Sequence, residues 1–412
     1  MDSGMQTTDK TEIQEVVWDV IYLAACALHE QCPDRERTAR MDFSKVYRMS
    51  KFHGMEALVF MALEGTGELS SIGESLAREW KEAKEKAIRK NMLLDAGRSQ
   101  LLGEMELAGI WYMPLKGSIL QRLYPKYGMR QMSDNDILYD SRRRGDVIAM
   151  MKRCGYARED EGSCSYHDGF VKPPVYNFEM HTSLFEEKEN PAWYQYYQRI
   201  KDRLLPDDDV QYGYHFTDED FYVYMIAHAY VHYSHNGCGL RTLADSYVYL
   251  WKKGTSLDWN DIEEQISQLG ISDFEMKLRL LSGKLFGEYD SCRKADLDKE
   301  ELESLLFFAD SGTYGTLENF VARQMQQYGM EGEPLTFAGR LRYLWNRLFP
   351  SMEWFRKNEP FYARHKMLIP FFLVYRALRY LVLCRKLLGR ELRVLWNAGN
   401  EDKKIIDNEK DR

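Results

Sequence analysis

Residues 130–138 read Arg-Gln-Met-Ser-Asp-Asn-Asp-Ile-Leu, and this acidic segment is the most informative part of the chain. The pattern of residues 132–139 predicts a β-strand, in which side chains two positions apart share one face. We therefore expect Asp134 and Asp136 to project side by side. Neighbouring carboxylates raise each other's pKa unless a cation lies between them, and Mg²⁺ prefers such oxygen ligands. The pair therefore predicts a cation site.

The context of this pair matters, because acid-x-acid triplets are common by chance in a chain with 64 acidic residues. Asp is disfavoured in strands, and here a Lys116-Gly117-Ser118 turn precedes the predicted strand. The surrounding pattern predicts a compact α/β unit. Its elements are a strand at 110–115, a helix at 118–124, the strand at 132–139, a helix at 146–154 and a hairpin of strands at 165–171 and 175–185.

Helical periodicity predominates on both sides of this unit. Helices are predicted before it at 43–49, 55–63 and 75–108. After it they are predicted at 191–205, 217–235, 240–252, 259–269, 272–285 and 299–329. The sequence contains neither a P-loop nor a dinucleotide-binding glycine fingerprint.

Four short motifs in the α/β unit resemble the uncharacterised nucleotidyltransferase branch of the DNA polymerase β-like superfamily. They are Leu115-Lys-Gly-Ser118, Tyr124-Pro125, Arg130-Gln-Met-Ser-Asp-Asn-Asp-Ile-Leu138 and Phe178-Glu-Met-His181. The resemblance covers residues 109–187 and continues more weakly into the flanking helices. One departure is Asn135, since the family strand usually carries an apolar residue between its two acids.

The resemblance implies an α+β fold, in which a small mixed-sheet nucleotidyltransferase core is flanked by mainly helical N- and C-terminal regions. We expect five segments along the chain. They are a helical N-terminal region at 1–87, the core at 88–205, a helical domain at 206–336, a basic helical unit at 337–399 and a disordered tail at 400–412.

The resemblance also implies roles for individual residues. Asp134 and Asp136 would hold Mg²⁺, with Mn²⁺ as the alternative, against a triphosphate. Glu179 would be the third metal-binding and catalytic acid, close to the incoming nucleophile. The alternation of Tyr176, Phe178 and Met180 with polar residues independently places Glu179 on the polar face of a strand. His181 shares that face, where it would orient either this carboxylate or substrate.

Lys116, Gly117, Ser118 and Arg130 are the expected phosphate-binding residues. Backbone amides at a helix start suit phosphate oxygens, and the two cations would offset charge on the transferring group. Two structural alternatives stay open. Lys116 would then be an ordinary surface lysine, and Arg130 would form an ion pair that spaces the two aspartates.

Three histidines, His228, His232 and His235, recur at helical spacing on one predicted helix face. They are interpreted as buried, hydrogen-bonded histidines, as a wall of the substrate pocket, or as zinc ligands. Arg241 is a further candidate for substrate binding. Its spacing from Asp245 also fits a simple helix ion pair.

Composition excludes several classes of protein. Seven scattered cysteines without a CxxC pair favour neither a disulfide framework nor a zinc ribbon. The net charge of −8 excludes a general nucleic-acid-coating protein. The first residues lack a basic-then-apolar signal pattern, so we expect a cytoplasmic protein.

The basic charge is concentrated near the C-terminus. Between Phe337 and Trp396, 13 Lys and Arg residues accompany three Glu residues, a net charge of +10. Pairing with the acidic remainder of the chain is the favoured interpretation, ahead of contact with nucleic acid or an anionic membrane surface.

The resulting hypothesis is transfer of a nucleoside monophosphate from an NTP, by default ATP, to a hydroxyl-bearing acceptor with release of pyrophosphate. The acceptor is left open among a small molecule, a protein side chain and an RNA end. The alternatives are a catalytically weak nucleotide-binding scaffold, and an interaction protein that binds RNA or an anionic membrane surface through its basic unit.

Overall fold

A computed structural model describes residues 3–64, 72–159, 166–287, 296–313 and 359–375, with a few single positions between 345 and 356. The chain divides into two compact units, Met1–Tyr230 with Cys238–Thr313, and Val231–Gly237 with Tyr314–Arg412. The tail at 400–412, the end of the predicted 299–329 helix and most of the basic unit at 337–399 lie outside the described residues.

The first unit contains a five-stranded mixed sheet in the order β1-β2-β5-β4-β3. Strand β2 runs parallel to β5, and the other neighbouring strands are antiparallel. The strands are β1 (Tyr112–Pro114), β2 (Asn135–Tyr139), β3 (Ala157–Arg158), β4 (His167–Lys172) and β5 (Tyr176–His181). A second, two-stranded sheet pairs β6 (Leu205–Pro206) with β7 (Tyr214–His215). The prediction of an α+β fold with a small mixed sheet is confirmed.

Helices make up most of the remaining described chain. They are α1 (Ser3–Leu28), α2 (Arg35–Thr38), α3 (Phe43–Phe52), α4 (Glu56–Leu63), α5 (Glu74–Leu107), α6 (Lys116–Leu120), α7 (Arg144–Arg153), α8 (Pro191–Tyr197), α9 (Asp218–His235), α10 (Leu240–Lys253), α11 (Trp259–Leu269), α12 (Ser272–Phe286) and α13 (Lys299–Ser311). None of the helices in the described ranges is both long and apolar enough to cross a bilayer.

Several predicted boundaries were wrong. The strand predicted at 132–139 begins only at Asn135, so Asp134 lies just before it. The helix predicted at 118–124 begins earlier and ends at Leu120. The helix predicted at 191–205 ends at Tyr197 and continues as a 3₁₀ turn and strand β6. Strands β3, β6 and β7 were not predicted, since strands of two residues leave no periodic pattern.

One face of the sheet packs on helices α5 and α7 to form the core. Phe170, Phe178 and Met180 on this face are fully buried. Each such side chain contributes roughly 1.5–3 kcal/mol on burial. Gly97 of α5 lets the helix approach β5, because a Cβ there would lie 2.7 Å from the ring of Tyr176. The opposite face of the sheet carries the polar residues of the site.

The described residues of the second unit include a short helix and an aromatic cluster. A short helix spans Pro360–Arg364 and is followed by a 3₁₀ turn at Lys366–Leu368. The ring of Phe372 packs against Phe355 and Tyr362, at centroid distances of 5.6 and 4.5 Å. These three rings form an aromatic cluster within the described part of the second unit.

Within the first unit, a buried histidine joins the end of α3 to the start of α10. Nδ1 of His53 accepts a hydrogen bond from the backbone N–H of Leu240 at 3.2 Å, and the side chain is fully buried. Burial, with a smaller contribution from the nearby Arg241 cation, lowers the pKa of His53 to about 4. The imidazole is therefore neutral in the folded protein at pH values where the unfolded chain begins to protonate it.

This arrangement predicts acid sensitivity. The folded pKa of His53 lies below its unfolded value of 6.5. The contribution of the neutral His53 to the free energy of unfolding is therefore complete above pH 6.5 and is lost as the pH falls toward 4. We expect a loss of roughly 3 kcal/mol in the free energy of unfolding. Urea denaturation of the wild type and of His53→Gln at pH 7.5 and 4.5 measures the difference. Equal losses in both proteins would contradict the prediction.

Candidate functional site

The parallel pairing of β2 with β5 creates an acidic cluster. Asp136 lies directly opposite Glu179 in the register, and both side chains project from the polar face. His181 follows two residues later on the same face. Its Nε2 lies 3.5 Å from Oδ1 of Asp136 and 3.6 Å from Oε2 of Glu179. Two strands that are distant in sequence thus bring three potential ligands together.

Burial and mutual repulsion determine the charges of these residues. Burial, together with Asp136 and Glu179, raises the pKa of Asp134 to about 7. Burial alone would also raise the pKa of Asp136, but the adjoining His181 more than offsets it and the pKa is lowered. The two carboxylates raise the pKa of His181 to about 9 despite burial of its ring. The cluster therefore requires compensating positive charge.

The chemistry of this cluster suits a divalent cation. Asp136, Glu179 and His181 each offer one ligand atom, and the three atoms lie within 4.8 Å of one another. His181 is 8% exposed, and neither ring nitrogen has a hydrogen-bond partner among the described residues. Asp134 lies just outside this set, at the entry to β2.

Cationic side chains surround the acids. The backbone N–H of Leu115 donates to the carbonyl oxygen of Asp136 at 2.9 Å, so the following turn begins beside the cluster. Nζ of Lys116 donates to Nδ1 of His228 at 2.7 Å. Burial lowers the pKa of Lys116 to about 8, and the neighbouring Arg130 cation contributes. Lys116 is half-buried and contacts His228, in contrast to the surface alternative.

Two further cations lie close to Asp134. Burial lowers the pKa of Lys90 on α5, whereas the negative charge of Asp134 opposes that shift. Arg241 of α10 donates from Nη1 to the carbonyl oxygen of Gln131 at 3.3 Å. Lys90 was missed by the sequence analysis, because nothing in its local pattern separates it from the other lysines of a charged helix.

Arg130 forms an ion pair with Asp245 of helix α10. Its Nε and Nη2 donate to the two carboxylate oxygens of Asp245 at 2.8 and 3.0 Å, and Tyr124 donates to the same carboxylate at 2.8 Å. Arg130 holds the pKa of the buried Asp245 below its usual value despite desolvation. The spacing of Arg241 and Asp245 had suggested a local helix pair, but the bidentate partner of Asp245 is Arg130.

The Lys-Gly-Ser turn forms the first turn of α6. Nη1 of Arg130 lies 3.5 Å from the carbonyl oxygen of Gly117. The hydroxyl of Ser118 donates to the carbonyl oxygen of Leu115 at 2.8 Å and is buried. A Cβ on Gly117 would lie 3.5 Å from Arg130 and Met132, an ordinary contact distance. The fold itself therefore leaves room for a side chain at this glycine.

A buried polar network supports the strand from behind. Nη1 of Arg98 donates to Oδ1 of Asn135 at 2.9 Å, and Nδ2 of Asn135 donates to the carbonyl oxygen of Leu94 at 3.0 Å. One turn away, Asn91 accepts from the backbone N–H of Met132 at 3.1 Å. Asn135, the departure from the family pattern, is thus fully bonded. A polar stripe at helical spacing on α5 was the signal that would have revealed this network.

The remaining histidines differ in position. His228 lies in the first unit beside Lys116, whereas His232 belongs to the short segment Val231–Gly237 of the second unit. His167 on β4 pairs with His181 across the sheet, and their ring centroids are 5.1 Å apart. His167 was not among the predicted site residues, because its place on the polar face depends on the β4–β5 register.

Comparison with known protein families gives one match. A family model described as an uncharacterised nucleotidyltransferase matches residues 39–287. This range includes the sheet, both strands of the acidic cluster and helices α9 and α10. Comparison with curated proteins and with solved structures gave no match.

The Arg130–Asp245 pair yields a stability prediction. Asp245→Asn leaves a buried guanidinium without its counter-charge, and we expect a loss of about 3–5 kcal/mol in the free energy of unfolding. Replacing both residues, as Arg130→Met with Asp245→Asn, should recover much of that loss, because no charge is then left buried and the amide oxygen still accepts from Tyr124. Urea denaturation of the two single variants and the double variant measures the coupling.

An exposed pair provides the matched control. Nη2 of Arg199 lies 2.7 Å from Asp202, but the two side chains are 86% and 58% exposed. Arg199→Met should therefore cost less than about 1 kcal/mol. Additive losses in the Arg130 and Asp245 variants would contradict the assignment of a buried, coupled pair.

Proposed function

Since the chain belongs to an uncharacterised family of nucleotidyltransferases, we propose that it transfers a nucleoside monophosphate from an NTP, by default ATP, to a hydroxyl-bearing acceptor. The oxygen of the acceptor forms a bond to the α-phosphorus, and the bond from that phosphorus to the bridging oxygen breaks. Pyrophosphate leaves with the bridging oxygen, and the proton of the acceptor hydroxyl passes to the carboxylate of Glu179. The observation that carries the proposal is the in-register placement of Asp136 and Glu179 on adjacent parallel strands.

Asp134, Asp136 and Glu179 are the proposed metal-binding and catalytic residues, with Mg²⁺ or Mn²⁺ as the ion. The buried His181 nitrogens and the clustered carboxylate oxygens fit a divalent cation. Such an ion, when bound, would polarise the α-phosphate and offset its negative charge. The carboxylate of Glu179 is 36% exposed, which leaves it accessible to accept a hydrogen bond from the hydroxyl of the acceptor.

The cations around Asp134 are the proposed triphosphate ligands. Lys116, Lys90 and Arg241 supply positive charge where the β- and γ-phosphates and the departing pyrophosphate would lie. Arg130 is already bonded to Asp245 through Nε and Nη2, and its Nη1 lies beside the carbonyl oxygen of Gly117. We therefore assign Arg130 to positioning the Gly117 turn, and assign His228 to orienting Lys116.

The glycine at position 117 is an argument for a ligand that binds next to the turn. Its backbone has no left-handed conformation, and a Cβ would meet protein atoms only at 3.5 Å. Neither backbone strain nor crowding by the protein explains a glycine here. Close approach of a phosphate to the Gly117 and Ser118 amides does explain it.

The proposal also covers the acceptor, the segment boundaries, the location and the basic C-terminal unit. The acceptor is a small molecule, a protein side chain or an RNA end, and the role of His232 depends on which of these binds. We also propose segment boundaries at residues 87, 205, 336 and 399 and a cytoplasmic location. The basic C-terminal unit keeps its alternative role in binding RNA or an anionic membrane surface.

Labelled ATP tests the reaction type directly. Fractions of a cell extract supply candidate acceptors, separated into small molecules, protein and RNA. With the wild type, label from the α-phosphate should enter one fraction, while label from the γ-phosphate should appear only in pyrophosphate. Asp136→Asn should lower the transfer at least about a hundredfold, whereas the exposed Asp146→Asn should leave it unchanged. Transfer of the γ-label to an acceptor would contradict nucleotidyl transfer.

A substitution at Gly117 separates ligand binding from stability. Gly117→Ala adds a methyl group that the protein accommodates, so the thermal unfolding midpoint should stay within a degree or two or rise slightly. The affinity for a non-hydrolysable ATP analogue should fall by roughly tenfold, about 1.4 kcal/mol. Calorimetry and thermal unfolding of the same preparation measure both quantities. Unchanged affinity would argue against phosphate approach at this turn.

A further inference from the structure

We propose that Asp136, Glu179 and His181 form a binding site for a divalent transition-metal ion, in which the His181 imidazole is a nitrogen ligand beside two carboxylate oxygens. This inference rests on the proposed function, because that function is the reason why a cation is needed at this site. It goes further in naming a nitrogen donor, and with it the class of ion that the site prefers.

The separations of the donor atoms fit a shared ion. Nε2 of His181 lies 3.5 and 3.6 Å from the nearest oxygens of Asp136 and Glu179. An ion that holds its ligands at about 2.0–2.2 Å places neighbouring ligand atoms roughly 3.0–3.5 Å apart. The imidazole nitrogen is therefore at nearly the ligand-to-ligand distance from both carboxylates. A direct hydrogen bond would require a shorter, aligned approach.

The surroundings of His181 point to a missing ligand. The side chain is 8% exposed, and both Nδ1 and Nε2 are buried without a hydrogen-bond partner among the described residues. Leaving a buried polar atom without a partner is unfavourable. The backbone of His181 is held between two strands, since it pairs with Leu138 of β2 and His167 of β4. A metal ion on Nε2 would satisfy an atom that the protein leaves unbonded.

The kind of donor determines the kind of ion. Mg²⁺ takes oxygen ligands almost exclusively and retains several waters, whereas imidazole is a good ligand for first-row transition metals. A set of two carboxylates and one imidazole therefore favours a transition-metal ion over Mg²⁺. Asp134 lies just before β2 and outside the three-atom set. It remains available for a second, oxygen-only ion.

The competing interpretation is a metal-free ion pair. The positive charge of a protonated His181 would then balance Asp136 and Glu179, and no ion would be needed. The two interpretations differ in a spectroscopic property. Only direct ligation places a ¹⁴N nucleus in the coordination sphere of a bound paramagnetic ion.

The experiment is a titration of the full-length protein with Mn²⁺ at pH 8 without nucleotide, followed by electron paramagnetic resonance. We expect Mn²⁺ to bind roughly tenfold or more tightly than Mg²⁺, with a hyperfine coupling from one directly bonded ¹⁴N. His181→Ala should lose the coupling and the preference for Mn²⁺. His181→Asn, which offers an oxygen in place of nitrogen, should lose the coupling while it still binds Mg²⁺.

His167→Ala is the matched control, since His167 is the neighbouring histidine on the same face. It should keep both the coupling and the preference for Mn²⁺. Bound Mn²⁺ without nitrogen coupling in the wild type would overturn the proposal, as would loss of the coupling in His167→Ala but not in His181→Ala. Because no nucleotide is present, these outcomes do not depend on whether transfer occurs. Transfer supported by Mg²⁺ without nitrogen ligation would refute this inference and leave the proposed function standing.

Discussion

The repulsion among three carboxylates at the edge of β2 and β5 is the constraint on which the rest of the site depends. The parallel register puts Asp136 against Glu179, and Asp134 lies close enough for both to raise its pKa to about 7. Such a cluster is unfavourable in a partly buried position unless positive charge is supplied. Lys116 and Arg241 supply part of it from the surrounding elements.

The loop before β2 must also keep its position despite this repulsion. Two helices that are distant in sequence hold it in place. Helix α5 holds the loop and strand through Asn91 and Arg98, which bond Met132 and Asn135. Helix α10 holds it through Asp245, which binds Arg130. Both supports are buried, charge-assisted or fully satisfied, and therefore rigid. The acids and the turn that faces them thus form one preorganised unit.

The sequence predicted the parts of this site that depend on local pattern. Alternation along β5 placed Glu179 and His181 on the polar face, and the strand register agrees. The carboxylate of Asp245 is hydrogen-bonded by Arg130, 115 residues away in the chain, whereas the local Arg241 only adds to the lowering of its pKa. The roles of Arg98, Lys90 and His167 were also not predicted. Each depends on a long-range contact between elements, which hydrophobic periodicity does not encode.

Calorimetric titration tests the metal-dependent nucleotide site most directly. The ligands are non-hydrolysable analogues of ATP, GTP, CTP and UTP, and each is titrated once with divalent metal and once with EDTA. We expect at least one nucleotide to bind only with metal, and we expect Asp134→Asn with Asp136→Asn to abolish this binding while the protein stays folded. Absence of binding by every nucleotide to the folded wild type would contradict this expectation. Equal binding by the double variant in EDTA would contradict it as well.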